Sequence, residues 1–273
     1  MAAVTATPAE TRAAMTRVSA RGYLQLRHIL VQLPDDEKER GSTVGILASG
    51  KYHRALLVYL LILTCWPWLE ERTKPLNAKI WLRALEPPTS KGLTFSASTL
   101  SRSLKVLEDK GLIEKRVRVG QQVLIVPRRE DGKERYSAPG GRTDRANAYF
   151  TLPDVFWTED HFAKLKLPGL AMLLIIAKET NQKAEMYMTH ADGLPWYGLK
   201  EGMVKDGLEE LRKLGLLGER DEWTKAPLSD IGRTRRKYYW LTGEYSQESR
   251  QLARGAAKTE RAARLKKKEP KAA

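Results

Sequence analysis

The chain has a single cysteine, Cys65, among its 273 residues. One cysteine can form neither an intrachain disulfide nor a thiolate metal cluster. Because Cys65 lies in an apolar stretch, we expect it to be a small residue of the core. The cysteine content therefore excludes a disulfide-based fold and does not indicate an oxidising compartment.

Long apolar runs and targeting signals are also missing. The longest apolar stretch, Ala55–Leu69, contains Pro67 and is shorter than the about 20 residues that a membrane-spanning helix needs, so we expect a buried helix and no membrane partner. Residues 1–20 lack the apolar segment of a secretory signal. Their Ala, Thr and Arg content predicts a flexible or accessory N-terminal segment, which we extend to residue 40. These absences together predict a cytoplasmic protein.

The sequence signatures of common enzyme classes are absent. The chain has no HExxH pair, phosphate-binding glycine-rich loop, dinucleotide fingerprint or nucleophile elbow. Its carboxylates lie in charged helices and loops, where solvation accounts for them. We therefore predict no catalytic residues, no metal and no cofactor, and we leave a small-molecule ligand open. The histidines lie far apart in the sequence: His28, His53, His161 and His190.

Positive charge, by contrast, is abundant, with a formal net charge of +15 at pH 7. An excess of this size favours polyanionic partners such as nucleic acid. Most of it lies in three segments: nine Lys or Arg against four Asp or Glu in residues 115–145, six against four in 219–237, and nine against two in 250–273. This confinement favours local binding surfaces over a generally solvated exterior.

Apolar periodicity predicts a mainly α-helical fold with small β-hairpins, an α+β class. The strongest helical patterns occupy residues 51–70 and 167–181, and both read as buried. We expect the basic C-terminal tail to be a frayed helix or disordered, and suited to non-specific contact with phosphates. The domain division that we predict is an N-terminal segment at 1–40, a first domain at 41–155, a second at 156–245 and the tail at 246–273.

One stretch of the first domain carries several signals at once: Phe95–Arg116, with the sequence FSASTLSRSLKVLEDKGLIEKR. Ser96 is a predicted N-cap, and Gly111 suits the positive φ of a helix end. Alternation after Gly111 predicts a strand, then a polar loop and a return strand at residues 146–153. The leucines that share one helical face, and that we expect to be buried, are Leu100, Leu104 and Leu107.

The second half of the chain repeats this stretch at an offset of 104 positions. Leu100 falls on Val204, which is also apolar, and the order of helix, glycine, strand, loop and strand recurs. A shared order of elements makes an internal repeat the favoured interpretation. The identical pairs are Leu104 and Leu208, Leu107 and Leu211, Gly111 and Gly215, Leu112 and Leu216, and Arg116 and Arg220.

The segment Ser96–Arg116 resembles the recognition helix and first wing strand of winged-helix DNA-binding proteins, the class that contains MarR-like and GntR-like regulators. The resemblance covers roughly residues 45–152, and the second copy, roughly 156–245, matches more weakly. The whole arrangement is similar to tandem winged-helix proteins of actinobacteria. This resemblance implies two winged-helix domains, double-stranded DNA as the partner and association with the nucleoid, and it leaves a homodimer open.

A helix that reads the major groove needs an apolar side toward its own domain and a short or hydrogen-bonding side toward the base edges. Cations on the wings would then contact the phosphate backbone or reach into the minor groove. The predicted DNA-binding residues are Ser96, Ser98, Thr99, Ser101, Arg102 and Lys105 on the first helix, Lys115, Arg116, Arg118, Arg128 and Arg129 in the first wing, and Arg233, Arg235, Arg236 and Lys237 in the second wing.

Two features depart from this pattern. The segment between Leu85 and Phe95 is longer than the three or four residues that usually join the two helices of such a motif. In the second copy Asp206 stands where the first has Arg102, and Glu209 and Glu210 add carboxylates that would repel phosphate. We expect the second helix to read DNA poorly and to serve as a dimerisation surface or spacer.

Three functions stay open on the sequence. The favoured one is sequence-specific binding of double-stranded DNA in transcriptional regulation. The same fold would also serve a plasmid or phage replication initiator that binds repeated origin sites. A third interpretation is a winged-helix subunit that holds protein partners in a larger complex, which the acidic second helix fits best.

Overall fold

The structure is a computed structural model that describes residues 5–18, 21–34, 40–72, 74–89, 92–119, 122–140 and 147–268. Side chains at 118, 119 and 265–268 lie outside this description. Half of the described residues (50%) are helical and 17% are in strands, which form small antiparallel sheets. The α+β class predicted from the sequence is therefore confirmed.

The helices account for about half of the described residues and vary widely in length. Two short 3-10 turns, His28–Leu30 and Gly243–Tyr245, accompany them. The α-helices of the described part are α1 (Pro8–Arg17), α2 (Thr43–Ser49), α3 (His53–Glu70), α4 (Ala78–Ala84), α5 (Ala97–Asp109), α6 (Val155–Thr158), α7 (His161–Lys164), α8 (Leu167–Glu179), α9 (Gly193–Tyr197), α10 (Glu201–Lys213) and α11 (Gln247–Lys268).

Three small antiparallel sheets complete the described fold. The first pairs β1 (Tyr23–Arg27) with β4 (Tyr149–Pro153), and the second is a hairpin of β2 (Val117–Val119) and β3 (Gln122–Leu124). The third has the order β5, β7, β6 and contains β5 (Met186–Tyr187), β6 (Leu217–Lys225) and β7 (Arg233–Leu241). Its β6–β7 hairpin is paired along nine residues on each strand.

Two buried helices, α3 and α8, form the centre of the molecule. Residues 55–66 of α3 are all buried, as are ten residues of α8, so both helices are apolar on nearly every side. Helix α5 packs against α3, α10 packs against α8, and α2 joins the halves by contacting α8. The apolar core is therefore continuous through both halves of the chain. No helix in the described ranges has the length and apolar character to cross a membrane.

Both ends of α8 are capped by charged side chains from other elements. Glu210 of α10 accepts hydrogen bonds from the backbone N–H groups of Lys166 and Gly169, each at 3.0 Å. At the other end the buried guanidinium of Arg250 donates to the carbonyls of Ala177, at 2.7 Å, and Thr180, at 3.2 Å. A carboxylate at the N-terminus and a cation at the C-terminus also oppose the helix dipole.

A second charged cluster lies inside the first half. Arg27 of β1 and Glu130 form an ion pair of 2.9 Å in which both side chains are fully buried. Arg27 donates further to the carbonyl of Ser137 at 2.8 Å and to Asn147 at 2.8 Å, and the backbone N–H of Arg27 donates to Glu130. Thr43 of α2 donates to the carbonyl of Glu130. The cluster therefore ties together β1, α2 and the loop that follows β3.

Both ends of the described chain have tertiary contacts that the sequence did not predict. The N-terminal segment, predicted to be flexible or accessory, contains α1 and β1, and Arg12 of α1 is buried, with hydrogen bonds to Asp160 and to the carbonyls of Ala84 and Glu86. The tail, predicted as a frayed helix or disordered, begins as α11, whose Arg250 is anchored at α8. In both places a buried arginine supplies the tertiary contact that composition did not reveal.

The predicted return strand also differs. Residues 149–153 do form a strand, β4, but they pair with β1 rather than with the hairpin that follows α5. That hairpin closes locally, since Ile113 bridges Pro127 and β2 pairs with β3. The prediction was wrong because alternation indicates a strand without naming its partner.

The repeat predicted at an offset of 104 positions is confirmed in the backbone. Helices α5 and α10 span 13 residues each, and their bounds differ by that offset at both ends. Gly111 and Gly215 follow them with φ of 69° and 68°. The next N–H donates back to the helix in both copies, from Leu112 to the Leu107 carbonyl at 2.8 Å and from Leu216 to the Leu211 carbonyl at 2.9 Å.

Removing one partner of the buried Arg27–Glu130 ion pair should destabilise the protein. We expect Glu130→Gln to lower the free energy of unfolding by about 3–5 kcal/mol, because the Arg27 guanidinium would stay buried without a counter-charge. Urea unfolding followed by circular dichroism measures the loss. Asp109→Asn is the matched control: it breaks the exposed Lys105–Asp109 pair and should leave the free energy of unfolding close to that of wild type, because water screens exposed pairs. Equal stability of Glu130→Gln and wild type would contradict the role of the pair.

Buried histidines should make folding sensitive to acid. Burial lowers the pKa of His28 and of His53 to about 4, below the about 6.5 of an unfolded histidine. The unfolded chain therefore binds these protons first, so the stability contributed by each neutral ring is present above pH 6.5 and is lost as the pH falls toward 4. Asp154 acts in the opposite sense, because burial raises the pKa of its carboxyl to about 7. The stability that the protonated Asp154 contributes is lost as the pH rises from about 4 to about 7, so in the wild type it partly offsets the effect of the histidines.

We expect the free energies of unfolding of wild type and His53→Gln to converge as the pH falls from 6.5 to 4.5, by about 1.4 kcal/mol per pH unit. Asp154→Asn should make the free energy of unfolding fall more steeply with acid than in wild type, whereas His53→Gln should make it fall less steeply. Urea unfolding at half-unit pH intervals measures both slopes. A His53→Gln curve that runs parallel to the wild-type curve would show that His53 is not buried as a neutral ring.

Candidate nucleic-acid interface

The exposed side of α5 carries small hydroxyls and two cations. Ser98, Ser101, Arg102 and Lys105 are all exposed, while the leucines of the opposite side are buried as predicted. Arg102 reaches back along the helix, with Nε 3.4 Å from the carbonyl of Ser98. The helix is amphipathic in the way that a groove-reading helix requires, with short side chains near its N-terminus.

The N-terminus of α5 is fixed by a capping box. Ser96 Oγ accepts from the N–H of Thr99 at 3.2 Å, and Thr99 Oγ1 accepts from the N–H of Ser96 at 2.7 Å. This confirms Ser96 as the N-cap and gives two of the predicted DNA-binding residues a structural role. The N–H groups of Ala97 and Ser98 make no hydrogen bond to any described residue.

The cations near the C-terminus of α5 differ in how firmly they are held. Lys105 forms an exposed ion pair with Asp109 at 2.7 Å. Arg116 is held at two points by Glu108, through Nε at 3.0 Å and Nη2 at 3.2 Å, and these bonds lower the pKa of the Glu108 carboxyl. Lys115 is exposed and has no ion pair with a described residue. Lys115 is thus the freer cation, and Arg116 holds the hairpin against the helix.

The other predicted cations of the first wing lie farther along the hairpin. Arg118 belongs to β2, and its side chain lies outside the described part. Arg128, after β3, donates to the carbonyl of Lys133 at 2.8 Å. Arg129 is fixed by Asp131 and by Glu134 at 3.0 Å, and the bonds to Asp131 raise the pKa of the guanidinium. Both arginines therefore organise the loop that carries the buried Glu130.

The second cluster of predicted residues lies on β7. Arg235 pairs with Asp221, and Lys237 lies 3.8 Å from Glu219 across the hairpin. Arg233 sits over the ring of Trp223 at 4.5 Å, and Arg236 over Tyr187 at 5.5 Å. Such exposed ion pairs contribute little to stability, so these cations can exchange their partners for phosphate oxygens at low cost.

Helix α10 presents a different surface from α5. Asp206 and Glu209 are exposed, as predicted, and Glu209 pairs with Arg212 and Lys213. Glu210 does not share this surface, because it caps α8. Gly207 is required for packing: a Cβ there would lie 2.4 Å from the carbonyl oxygen of Pro168.

The connections before the two helices also differ. Gly198, Leu199 and Lys200 join α9 to α10, and Gly198 has a φ of 70°. This is the short turn usual in helix-turn-helix motifs. Residues 85–96 join α4 to α5, which is the departure noted in the sequence.

Sequence reasoning overlooked the tip of the β6–β7 hairpin. Lys225 is exposed there, and so are Leu228 and Ile231. The available signal was the apolar pair inside the turn-rich segment 226–232, but such segments are usually taken as polar connections. Among the described residues no group of three or more His, Cys, Asp or Glu could hold a metal ion.

Comparisons of the chain with protein-family models, with curated proteins and with solved structures gave no match.

Two exposed serines, the N-cap Ser96 and Ser101 within α5, allow capping to be separated from surface chemistry. We expect Ser96→Ala to lower the free energy of unfolding by about 1 kcal/mol, because the Thr99 N–H loses its acceptor. Ser101→Ala is the control, since this exposed side chain makes no hydrogen bond with a described residue, and it should change stability by less than about 0.5 kcal/mol. Urea unfolding measures both, and equal effects of the two variants would argue against the cap.

Proposed function

We propose that the protein binds double-stranded DNA in a sequence-specific manner through two winged-helix modules and regulates transcription. The order of elements supports this proposal. The first half runs α3, α4, α5 and the β2–β3 hairpin, and the second runs α8, β5, α9, α10 and the β6–β7 hairpin. In both, a helix leads through a glycine of positive φ directly into a hairpin, as in a recognition helix and wing.

The exposed side of α5 is the observation that carries the proposal. Its serines are short enough to let the helix backbone approach the base edges, and Arg102 can donate two parallel hydrogen bonds to a guanine. Lys105 and Lys115 extend this side toward the phosphates. Because the leucine side is buried against α3, the polar side is left toward solvent. Among the described residues of α5, no Asp or Glu is exposed N-terminal to Asp109. That part of the surface therefore carries no carboxylate that would repel phosphate.

The second module acts mainly through its wing. The exposed carboxylates of α10, Asp206 and Glu209, oppose close approach to DNA. The β6–β7 hairpin, in contrast, is long and carries four cations on β7. Contacts from these cations to phosphates would add affinity and set the register of α5 in its groove.

The acidic surface of α10 favours one further candidate, in which this helix docks a protein partner. Such a partner would supply cations against Asp206 and Glu209. This role is compatible with DNA binding through α5. A protein that captured a basic partner but ignored duplex DNA would be a protein-interaction subunit instead.

Selection of duplexes from a random library, at two salt concentrations, tests the proposal. We expect an enriched motif at both concentrations, with weaker binding at the higher one because phosphate contacts release counterions. A palindromic motif would indicate a homodimer. Sites at a divergent promoter would support regulation, and an array of direct repeats would support a replication initiator. Failure to retain any duplex in dilute buffer would refute DNA binding.

Arg102→Ala should weaken binding to the selected site by about 1–3 kcal/mol and relax the sequence preference at one base pair. Arg17→Ala on α1 is a matched control, since Arg17 is exposed and also bonds a carbonyl one turn back, at 3.3 Å from Ala13. The control should bind like wild type. Fluorescence anisotropy with the selected duplex and single-base variants measures both effects. Unchanged affinity and preference in Arg102→Ala would remove this arginine from base readout.

A further inference from the structure

The tip of the β6–β7 hairpin exposes two large apolar side chains. Leu228 has a relative exposure of 103% and Ile231 of 66%. Most exposed apolar residues are single and need no explanation. These two share one turn, at the far end of a hairpin from the core, where no described residue covers them.

The turn that carries them is held by its own hydrogen bonds. The N–H of Ala226 donates to the carbonyl of Gly232, and the N–H groups of Ser229 and Gly232 donate to the carbonyls of Ala226 and Ser229, all at 2.9 Å. The hydroxyl of Ser229 lies 2.9 Å from the carbonyl oxygen of Ala226 and 3.0 Å from that of Arg233, and these two acceptors share its single proton. Leu228 is therefore presented on a fixed turn, which lowers the entropy lost when a partner binds it.

The charges around this tip point to a polyanion. Lys225 and Arg233 are the last pair of the hairpin and lie directly below the turn. Arg233 is oriented by the ring of Trp223, and Lys225 has no ion pair with a described residue. Asp230 is the one carboxylate of the turn, so the tip carries two cations against one anion. An apolar point between two cations is complementary to a surface with anionic edges and an apolar interior.

The minor groove of DNA meets this description when one base step is unstacked, because the opened step exposes the apolar faces of the bases, while the floor of the intact groove carries polar acceptors. It is about 6 Å wide, too narrow for a helix, and phosphates line both of its edges. Proteins that insert a leucine or isoleucine between base pairs from this groove partly unstack one step and kink the duplex by about 20–90°. The cost of unstacking is offset by apolar burial of the wedge and by contacts that the bend allows.

We propose that the β6–β7 hairpin inserts Leu228 into the minor groove of duplex DNA, unstacks one base step and bends the duplex, while Lys225 and Arg233 contact the flanking phosphates. This inference rests on the proposed DNA binding and assigns the second module a role in shaping the DNA rather than in reading bases. Ile231 supports the wedge from the same turn. We expect Leu228 to insert at base steps that unstack readily, such as TA and CA.

The test uses the full chain and the duplex obtained by selection, at a length of about 30 base pairs, with a donor and an acceptor dye at its two ends. A second set of duplexes carries 2-aminopurine at successive positions beside the site. We expect wild-type protein to raise energy transfer between the ends and to raise 2-aminopurine fluorescence at one step. Leu228→Ser should lose both signals while still retarding the same duplex in a gel.

Leu252→Ser is the matched control, because Leu252 is an exposed leucine on α11 with a relative exposure of 68%. It should keep both signals. Binding by wild type without either signal, or signals in Leu228→Ser equal to those of wild type, would overturn the wedge but leave DNA binding intact. Loss of gel retardation by every protein, wild type included, would instead refute the proposed function.

A second copy of the chain is the other partner that an apolar tip could bind, and light scattering of the free proteins tests for it. The wedge requires wild type and Leu228→Ser to have the same mass in solution. A wild-type oligomer that Leu228→Ser dissociates, without any bending signal in the DNA experiment, would assign the tip to self-association and overturn the proposal.

Discussion

A helix buried along its length must have the free polar groups at both ends satisfied by protein, and α8 shows how this requirement arranges the second half. Its first-turn N–H groups meet Glu210, and its last carbonyls meet Arg250. Burial lowers the pKa of Arg250 to about 10, so this side chain stays charged at neutral pH. Since Glu210 belongs to α10 and Arg250 to α11, the two caps also fix the helix that leads into the β6–β7 hairpin and the helix that carries the basic tail.

The first half uses the same principle in its interior. Arg27 and Glu130 lose their hydration completely, so each depends on the other and on the carbonyl and amide groups around them. Their pairing brings the N-terminal strand onto the loop behind the β2–β3 hairpin. The position of this hairpin beside α5 is then set from the core outward, with Arg116 and Glu108 as the outer contact.

The positive charge of the chain is therefore divided between two uses. Arg12, Arg27 and Arg250 are buried and spend their hydrogen bonds on the fold. Cations at the surface, such as Arg102 and Lys225, form no ion pair with a described residue, and the proposed function assigns them to DNA. The two repeats divide the proposed work similarly: α5 offers hydroxyls and an arginine for bases, and the second hairpin offers cations and an apolar tip for the backbone and the minor groove.

Signals that act within a few residues determined much of this architecture. The cap at Ser96, the positive φ at Gly111 and the leucine stripe of α5 depend on neighbouring residues, so the sequence alone predicted α3, α5 and α8 and the repeat that relates α5 to α10. Only the tertiary structure decided that β4 pairs with β1, that Arg27 meets Glu130 across 103 positions, and that Glu210 caps α8 rather than facing DNA. Strand partners and buried ion pairs depend on which distant surfaces meet when the core closes, and local periodicity carries no information about that. For the same reason only the tertiary structure shows that Leu228 is exposed, because the hairpin places this residue far from the core.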